Sequence, residues 1–597
     1  MFRYINLNAA STPMNYKLKT DNNEQVGVFH TAFEHLLPFL TNEKKNIFFA
    51  FVAVLVSSAT TLYAPIIISD IIDKYIQTSN LKGVLIFSAV LLLMYILNLF
   101  STYIQMATMG GVGRRMLFNL RNALFNKLQE LPVAFFDQNK TGDLISRINN
   151  DTDKLNQFFS QALMQFVNNI MIIIGAGVFL LVLNIRLGLS SLLPAIGVLI
   201  ATQMLSSWVR RTNLKSLQTL GAMSAEIQEG FNNFKVIVAF NRLDYFRNKF
   251  EKVNNDNYKA SISSGIASNI FLPIYTLAGN IAQVIVLAFG IYLITQGNLT
   301  VGLLIAFLLY VNNFYNPLRQ IASVWSSLQL ALASVERISE ILNLESNMPI
   351  IASESFDKKS ILEFRNVSFS YPDGKEVLHN INFNLEKGKT YAIVGPTGGG
   401  KTTTASLMAR LYDPTEGLVL LDGLDIRSYK ANDRTQKIGF ILQDPYLFSG
   451  TIMDNIISGN EKYLHCSKEK LIEALKELNL FNLLNNFEKG IDTEVSSSGD
   501  TISLGQKQLI AFIRAVLRNP EVLILDEATA NVDTLTEQLL EEILEKLPAS
   551  TTKIIIAHRL NTIENADQIF FVNAGNATLA GSMKQAVDML MHGKRES

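Results

Sequence analysis

The stretch YAIVGPTGGGKTTT, from Tyr391 to Thr404, decides the fold of the second half of the chain. It reads as an aliphatic strand, a glycine-rich turn and a helix start, and it fits the pattern G-x-x-x-x-G-K-[ST] at Gly395, Gly400, Lys401 and Thr402. Glycines let backbone N–H groups close around phosphate oxygens, and the helix N-terminus adds partial positive charge. We expect Lys401 to neutralise the β- and γ-phosphates of a nucleotide and Thr402 to offer its hydroxyl to Mg²⁺. From Ile361 onward short aliphatic strands alternate with amphipathic helices, which predicts an α/β domain around this loop.

A second stretch, VLILDEATANVD from Val522 to Asp533, runs from four aliphatic residues directly into Asp526 and Glu527. An unpaired buried charge costs several kcal/mol, so we expect these two carboxylates to have binding partners. Neighbouring strand residues point to opposite faces, which predicts separate roles: Asp526 holds Mg²⁺ and Glu527 polarises the attacking water. The alternative is an exposed strand end with two solvated acids. The phosphate loop upstream favours the catalytic interpretation.

The first half of the chain is far more apolar. Six segments without Asp, Glu, Lys or Arg approach or exceed the about 20 residues that a membrane-spanning helix needs. They lie at Ile47–Ser69, Gly83–Met109, Ala162–Leu183, Leu187–Leu205, Ile270–Ile294 and Val301–Asn316. A helix that is apolar all round can also form the buried core of a large soluble protein. Six uncharged runs in one chain favour the membrane interpretation.

The distribution of Lys and Arg sets the predicted orientation. Basic residues collect in the two long connections, at 110–161 and 206–269, which places these connections and both termini in the cytoplasm. The connections continue the spans as long helices, and a segment before the first span has the character of an interfacial helix. The expected divisions are a tail with that helix (1–45), a transmembrane domain (46–342), a linker (343–360) and a nucleotide-binding domain (361–597).

Composition excludes other classes. The net charge is zero, which argues against a general nucleic-acid binder, and the single cysteine, Cys466, cannot form an internal disulfide or a thiolate metal cluster.

Two longer stretches resemble one known family. ISLGQKQLIAFIRAVLRNPEVLILDEATANVD (Ile502–Asp533) is similar to the signature motif, the acidic strand and the loop that follows it in ATP-binding cassette (ABC) exporters. PVAFFDQNKTGDLISRINNDTDKL (Pro132–Leu155) resembles the first intracellular loop of their transmembrane domain. The resemblance implies a multidomain half-transporter: an all-α domain of six spanning helices with long cytoplasmic extensions, followed by an α/β P-loop NTPase domain.

The resemblance also implies roles for single residues. Tyr371 would stack on adenine, although by position alone it could equally be an ordinary strand aromatic. Gln443 would contact Mg²⁺ and water, and His558 would contact the γ-phosphate, whereas a lone His after a strand is more often structural. Ser503, Gly505 and Gln506 would reach the ATP of the opposite subunit, and Asp533 would lie at the dimer seam. The remaining expected ATP contacts are Pro396, Thr397, Gly398, Gly399 and Thr403.

Because signature and phosphate loop act across an interface in this family, the resemblance implies a dimer with two ATP sites. Ser497, Ile502 and Asn531 depart from the usual residues of the seam, which favours a related but non-identical second half over a homodimer. The implied activity is ATP-driven export of amphiphilic, multidrug-like compounds across a bacterial plasma membrane. The alternatives are a lipid or glycolipid flippase and an ATP-gated regulatory membrane protein; intact Lys401, Asp526, Glu527 and His558 argue against the last.

Overall fold

The apolar runs form six long helices, each long and apolar enough to cross a membrane. The computed structural model describes residues 16–18, 41–345, 348–352, 355–372, 374–443, 445–496, 502–526, 534–556, 566–580 and 583–592. Its internal contacts divide the chain into two units. The membrane unit holds residues 19–129 and 142–343, and the nucleotide-binding unit holds the segments 1–18, 130–141 and 344–597.

The first eleven helices cover the predicted spans and continue past them. They are α1 (Lys44–Asp70), α2 (Leu81–Glu130), α3 (Val133–Gln138), α4 (Thr141–Ser146), α5 (Thr152–Gln157), α6 (Leu163–Leu183), α7 (Ile185–Asn232), α8 (Phe234–Ala239), α9 (Leu243–Asn269), α10 (Phe271–Thr295) and α11 (Val301–Leu342). At 1.5 Å per residue, the 50 residues of α2 extend about 75 Å, more than twice the hydrocarbon thickness of a bilayer. The predicted six-span domain with long helical extensions is therefore confirmed.

Short polar turns join the spans. Asn184 lies in an extended conformation between α6 and α7, and its side chain accepts a hydrogen bond from the Leu187 amide at 3.2 Å, which caps α7. The chain reverses so tightly here that a Cβ atom on Gly188 would lie 2.3 Å from the Leu180 carbonyl oxygen. Asp73, in the π-helical turn that continues α1, accepts a hydrogen bond from the Gly302 amide at 2.8 Å and so joins α1 to the start of α11.

A buried ionic cluster lies in the membrane unit, in the extension that leads into α6. The Arg147 side chain is 1% exposed and donates to the Glu340 carboxylate at 2.7 Å and to the Arg337 carbonyl at 2.8 Å. Asp151 is fully buried and pairs with Arg337 and, at 3.1 Å, with Lys154. These contacts join the segment around the π-helical turn Arg147–Asp151 to the end of α11.

The nucleotide-binding unit contains twelve strands among its described residues. They are β1 (Leu362–Ser370), β2 (Glu376–Leu385), β3 (Thr390–Val394), β4 (Glu416–Leu421), β5 (Leu424–Asp425), β6 (Ile438–Ile441), β7 (Gly450–Thr451), β8 (Glu494–Val495), β9 (Val522–Asp526), β10 (Thr552–Ile556), β11 (Gln568–Asn573) and β12 (Asn576–Ala580). One sheet has the order β12-β11-β3-β10-β9-β6 and is parallel except at β12; a second, antiparallel sheet has the order β2-β1-β4-β5. The predicted α/β domain is confirmed.

Seven further α-helices lie in the described part of the same unit. They are α12 (Lys401–Met408), α13 (Ala431–Lys437), α14 (Ile452–Ile457), α15 (Lys468–Glu477), α16 (Leu504–Val516), α17 (Thr534–Lys546) and α18 (Met583–His592). Strand β9 is buried at every position, because clusters of apolar side chains pack on both of its faces. The carboxyl ends of β3, β9 and β6 lie at one edge of the sheet, where ligands bind in open α/β folds.

Candidate nucleotide site

The loop between β3 and α12 has the backbone that the sequence pattern predicts. Gly395, Gly398 and Gly400 all adopt positive φ angles, of 152°, 79° and 111°, which side chains other than glycine rarely tolerate. At Gly395 a Cβ atom would also lie 1.9 Å from the Val572 carbonyl oxygen. Glycine is therefore required here by both conformation and space.

Lys401 is the first residue of α12, and its side chain turns back toward this loop. Its side chain is buried, and its ammonium group donates to the carbonyl oxygens of Gly395 at 2.9 Å and Pro396 at 3.1 Å. The ammonium thus lies against the first residues of the loop, close to the start of α12, where the helix end favours anions. This arrangement suits a phosphate chain.

Two of the three predicted Mg²⁺ ligands, Thr402 and Asp526, come together. Asp526, at the end of β9, is 3% exposed, and its carboxylate lies 3.5 Å from the Thr402 hydroxyl. Gln443 lies two residues after β6, and the register that pairs Ile441 with Leu525 puts it near the end of the sheet at which Asp526 lies. Carboxylate, hydroxyl and amide oxygens are donors that suit Mg²⁺, with phosphate oxygens and water completing its shell. These residues therefore fit the metal.

Tyr371 directly follows β1 and contacts the first turn of α12. Its hydroxyl is 3.1 Å from the Thr403 hydroxyl, and its ring packs edge-on against Phe369 and Tyr412 with centroids 4.9 and 5.5 Å away. The ring is half-buried, and these neighbours fix its orientation. The structure therefore places Tyr371 next to the phosphate loop.

Two family models match the chain: the ABC transporter transmembrane region over residues 47–318 and the ABC transporter model over residues 378–530. An ABC transporter ATP-binding protein of Bacillus subtilis is 32% identical over 92% of this chain and 91% of its own length. The chain belongs to the ABC transporter family. It is a half-transporter of the exporter type, and it is an ATPase coupled to transport across a membrane.

Other relatives of this ABC transporter carry more specific names. A fatty acid ABC transporter ATP-binding/permease protein of Mycobacterium bovis is 32% identical over 83% of this chain and 78% of its own length. A multidrug resistance ABC transporter ATP-binding and permease protein of Lactococcus lactis is 29% identical over 94% of this chain and 95% of its own length.

The signature residues of the transporter have local partners. Ser503 caps α16: its hydroxyl accepts from the Gln506 amide at 3.2 Å, while the Gln506 side chain accepts from the Ser503 amide at 3.0 Å. The Gln506 side-chain amide also donates to the Asn486 carbonyl at 2.8 Å. These bonds lie around the start of α16, and the role of the signature residues toward another subunit stays a prediction.

Several predicted residues lie outside the described part of the chain. They are Glu527, His558, Asp533, Ser497 and Asn531. Their roles stay predictions.

The sequence did not indicate one neighbour of Tyr371. Tyr412 donates a hydrogen bond to Asp137 of α3, and burial together with this carboxylate raises the pKa of the Tyr412 phenol well above its usual value. The phenol therefore stays a neutral donor. Asp137 lies in the stretch that resembles the first intracellular loop, but nothing in the residues around Tyr412 identifies it as the partner of Asp137.

Proposed function

We propose that this ABC exporter moves amphiphilic compounds out of the cytoplasm or the inner leaflet by alternating access, as one half of a dimer. The observation that carries this proposal is the lack of Asp, Glu, Lys and Arg in the predicted spans, together with amide and aromatic side chains there. A charged cargo normally needs intramembrane charges, whereas amides and aromatic rings suit bulky, mostly apolar molecules.

The hydrogen bonds separate structural side chains from candidates for cargo contact. Asn98 donates to the Ser57 carbonyl at 3.1 Å, Ser58 donates to Asn168 at 2.9 Å, and Gln283 donates to Asn312 at 2.7 Å. These amides tie helices together. Tyr310 is fully buried and donates to the Leu62 carbonyl, so it is not available to cargo. The exposed candidates that remain are Gln203, Asn280, Phe100, Tyr103 and Tyr292.

The names of the relatives support two kinds of cargo, both amphiphilic. The Lactococcus protein is named for multidrug resistance, and the Mycobacterium protein for fatty acids. A multidrug-like cargo is the main proposal, and transport of a lipid or fatty acid is the alternative.

A second half-transporter is the proposed partner. The segment around α8 exposes Phe231 and Phe240 by 76% and 74%, and it also exposes Phe234 and Val236. It lies between two long helical extensions outside the predicted spans, where lipid would not cover it. Such a patch is typical of a protein interface. The departures at Ser497, Ile502 and Asn531 support a non-identical partner, with both chains' termini in the cytoplasm of a bacterial cell.

The site residues then have separate tasks in ATP hydrolysis. Tyr371 stacks on adenine, and the loop Gly395–Gly400 with Lys401 binds the phosphates through its N–H groups and ammonium. Thr402, Asp526 and Gln443 hold Mg²⁺, which neutralises developing charge on the phosphates. Glu527 polarises the attacking water, and His558 contacts the γ-phosphate. Ser503, Gly505 and Gln506 serve the ATP bound by the partner, and Asp533 lies at the seam.

The test is ATPase stimulation of the full complex in lipid vesicles, with a panel of dyes, drugs, fatty acids, lipids, peptides and small ionic metabolites. We expect stimulation by dyes or drugs, or by fatty acids and lipids if the alternative holds. Lys401→Ala serves as the inactive control. Selective stimulation by a small multiply charged metabolite, with amphiphiles silent, contradicts the proposal.

Expression of the chain alone tests the partner separately. We expect little ATPase activity from the single chain and restored activity on co-expression with a related half from a neighbouring gene. A stable homodimer with substrate-stimulated turnover rules out the requirement for a non-identical partner.

A further inference from the structure

A short N-terminal segment, Tyr16–Leu18, packs within the nucleotide-binding unit although more than 320 residues separate it from the linker. Tyr16 and Leu18 are 1% and 4% exposed. The Tyr16 hydroxyl donates to the Glu345 carbonyl oxygen at 3.2 Å, and the Tyr16 ring packs edge-on against Phe135 of α3. The Tyr16 side chain is therefore held by contacts of both its ring and its hydroxyl.

Two amide side chains at the end of α3 satisfy the backbone of this segment. Gln138 accepts from the Tyr16 amide at 2.9 Å, and Asn139 accepts from the Leu18 amide at 3.0 Å. The Asn139 side chain also donates to the Tyr16 carbonyl at 3.0 Å and to the Phe135 carbonyl at 2.7 Å. The Tyr16 N–H and C=O groups and the Leu18 N–H group are thus hydrogen-bonded to side chains at the C-terminal end of α3. These bonds hold the segment against that helix.

With Tyr16 and Leu18 turned inward, Lys17 between them lines a cavity of about 440 Å³. The cavity is also lined by Asp137, Gln138, Tyr371, Pro372 and Tyr412. Its volume lies in the range of small-molecule sites, about 300–1,000 Å³. One wall is therefore the predicted adenine-stacking tyrosine, and another is the N-terminal segment.

The polar groups around this cavity suit the base and ribose of a nucleotide. The Gln138 side-chain nitrogen is buried and has no hydrogen-bond partner among the described residues. Lys17, an exposed residue, lines the same cavity and carries an ammonium donor. Purine ring nitrogens and ribose oxygens are acceptors that such donors would bind, and the Tyr371 ring offers a face for stacking.

We propose that residues 16–18 are part of the ATP site, with the Lys17 ammonium binding the base or ribose of the nucleotide. This inference rests on the proposed role of Tyr371 in stacking adenine. It adds to the site an element that precedes the membrane domain in the chain. Lys17 acts on nucleotide affinity, whereas the hydrolytic groups named above act on the phosphates.

The experiment compares Lys17→Ala with the wild-type chain in the full complex. Affinities for ATP, ADP and inorganic tripolyphosphate are measured by competition with a fluorescent nucleotide, and turnover is measured at saturating ATP. Because Lys17 is exposed, loss of its hydrogen bond should cost no more than an ordinary one, which predicts a rise in the Kd for ATP and ADP of about 3- to 10-fold. The affinity for tripolyphosphate and the saturated turnover stay within about twofold, and Lys17→Arg restores ATP affinity. Lys359→Ala is the matched control, because Lys359 is 84% exposed on the same unit and does not line the cavity.

Two results overturn the inference: an ATP affinity of Lys17→Ala within twofold of wild type, or an equal loss of tripolyphosphate affinity. Tyr371→Ala separates this failure from that of the site itself. If Tyr371→Ala weakens ATP binding and Lys17→Ala does not, only the role of the N-terminal segment is wrong. If Tyr371→Ala leaves ATP binding unchanged, the base does not bind at this cavity and both proposals fail.

Discussion

The Thr402 hydroxyl and the Asp526 carboxylate lie 3.5 Å apart, although 124 residues separate them in the chain. Thr402 belongs to the first turn of α12, and Asp526 ends a strand that is buried at every position. The parallel sheet sets this short distance, because β3, which precedes α12, and β9 end at the same edge of the sheet. These two side chains would hold a Mg²⁺ ion, which would supply positive charge next to the phosphates.

Thr402→Ala should therefore weaken the binding of the Mg²⁺ that ATPase activity requires. We expect the Mg²⁺ concentration for half-maximal activity to rise by about 10-fold or more, the range for removal of groups around a bound metal. Magnesium titrations of ATPase activity measure this. Ser406→Ala is the matched control, because it also removes a hydroxyl from α12. That hydroxyl donates to the Thr402 carbonyl at 2.8 Å. An unchanged Mg²⁺ dependence would exclude Thr402 as a ligand.

Glu527→Gln tests the predicted water-polarising base. The variant should bind ATP normally but lose roughly 10²-fold or more in turnover, the contribution of a general base. It should also accumulate as a closed dimer, detectable by size-exclusion chromatography or cross-linking in the presence of ATP. If the partner's own site is slow, this one change should nearly silence the complex. Hydrolysis near the wild-type rate would remove Glu527 from this role.

Asp151→Ala tests the buried ionic cluster of the membrane unit. The change removes the carboxylate that pairs with Arg337 and Lys154, so both cations lose their partner. We expect the free energy of unfolding to fall by about 3 kcal/mol, near the lower end for breaking a buried pair because both cations are partly exposed. Asp153→Ala breaks a more exposed pair with Arg121 and should change stability by about 0–1 kcal/mol. Equal thermal stability of the two variants would contradict the structural role of Asp151.

Glu521 predicts a pH dependence of stability. The Lys437 and Lys387 ammonium groups donate to its carboxylate and hold its pKa below the ordinary value of 4.5. The pKa of Glu521 is lower in the folded state than in the unfolded state. The contribution of these ion pairs to the free energy of unfolding is therefore complete above about pH 4.5 and is lost as the pH falls through the folded-state pKa. Glu521→Gln should thus lower the free energy of unfolding by about 0.5–1 kcal/mol at pH 7 and by less near pH 3.5. Chemical unfolding at both pH values checks this, with exposed Glu488→Gln as control; a difference that grows on acidification would contradict it.

The fold could largely be predicted because two strong patterns specify it. Uncharged runs of bilayer length predict spanning helices, and the glycine-rich loop predicts the strand–turn–helix unit around Lys401. The positive φ angles of Gly395 and Gly400 follow from the same pattern. Asp526 was predictable because a carboxylate after a buried strand needs a partner.

Other parts of the site have no such signal. Tyr412 and Asp137 come together through tertiary packing. The residues that flank each of them in the sequence do not indicate the other as a partner. The same holds for Tyr16, whose neighbours near the N-terminus do not form a pattern of strand or helix. Similarly, the fully buried position of Tyr310 follows from how α11 packs, since a tyrosine in an apolar helix is equally compatible with an exposed face. Local patterns specify elements, whereas these pairings depend on how distant elements meet.

The nucleotide-binding unit is not one continuous piece of chain. It contains residues 130–141 and the described segment Tyr16–Leu18 as well as the region from Leu344 onward. A chimera that exchanges only residues 344–597 between two half-transporters would therefore join a recipient's α3 and N-terminal segment to a foreign surface. Asp137, which accepts from Tyr412, and Tyr16, which donates to the Glu345 carbonyl, would then face partners with which they did not evolve. Interchangeable modules in this chain have four boundaries rather than one, and a graft that carries all three segments should behave as a unit.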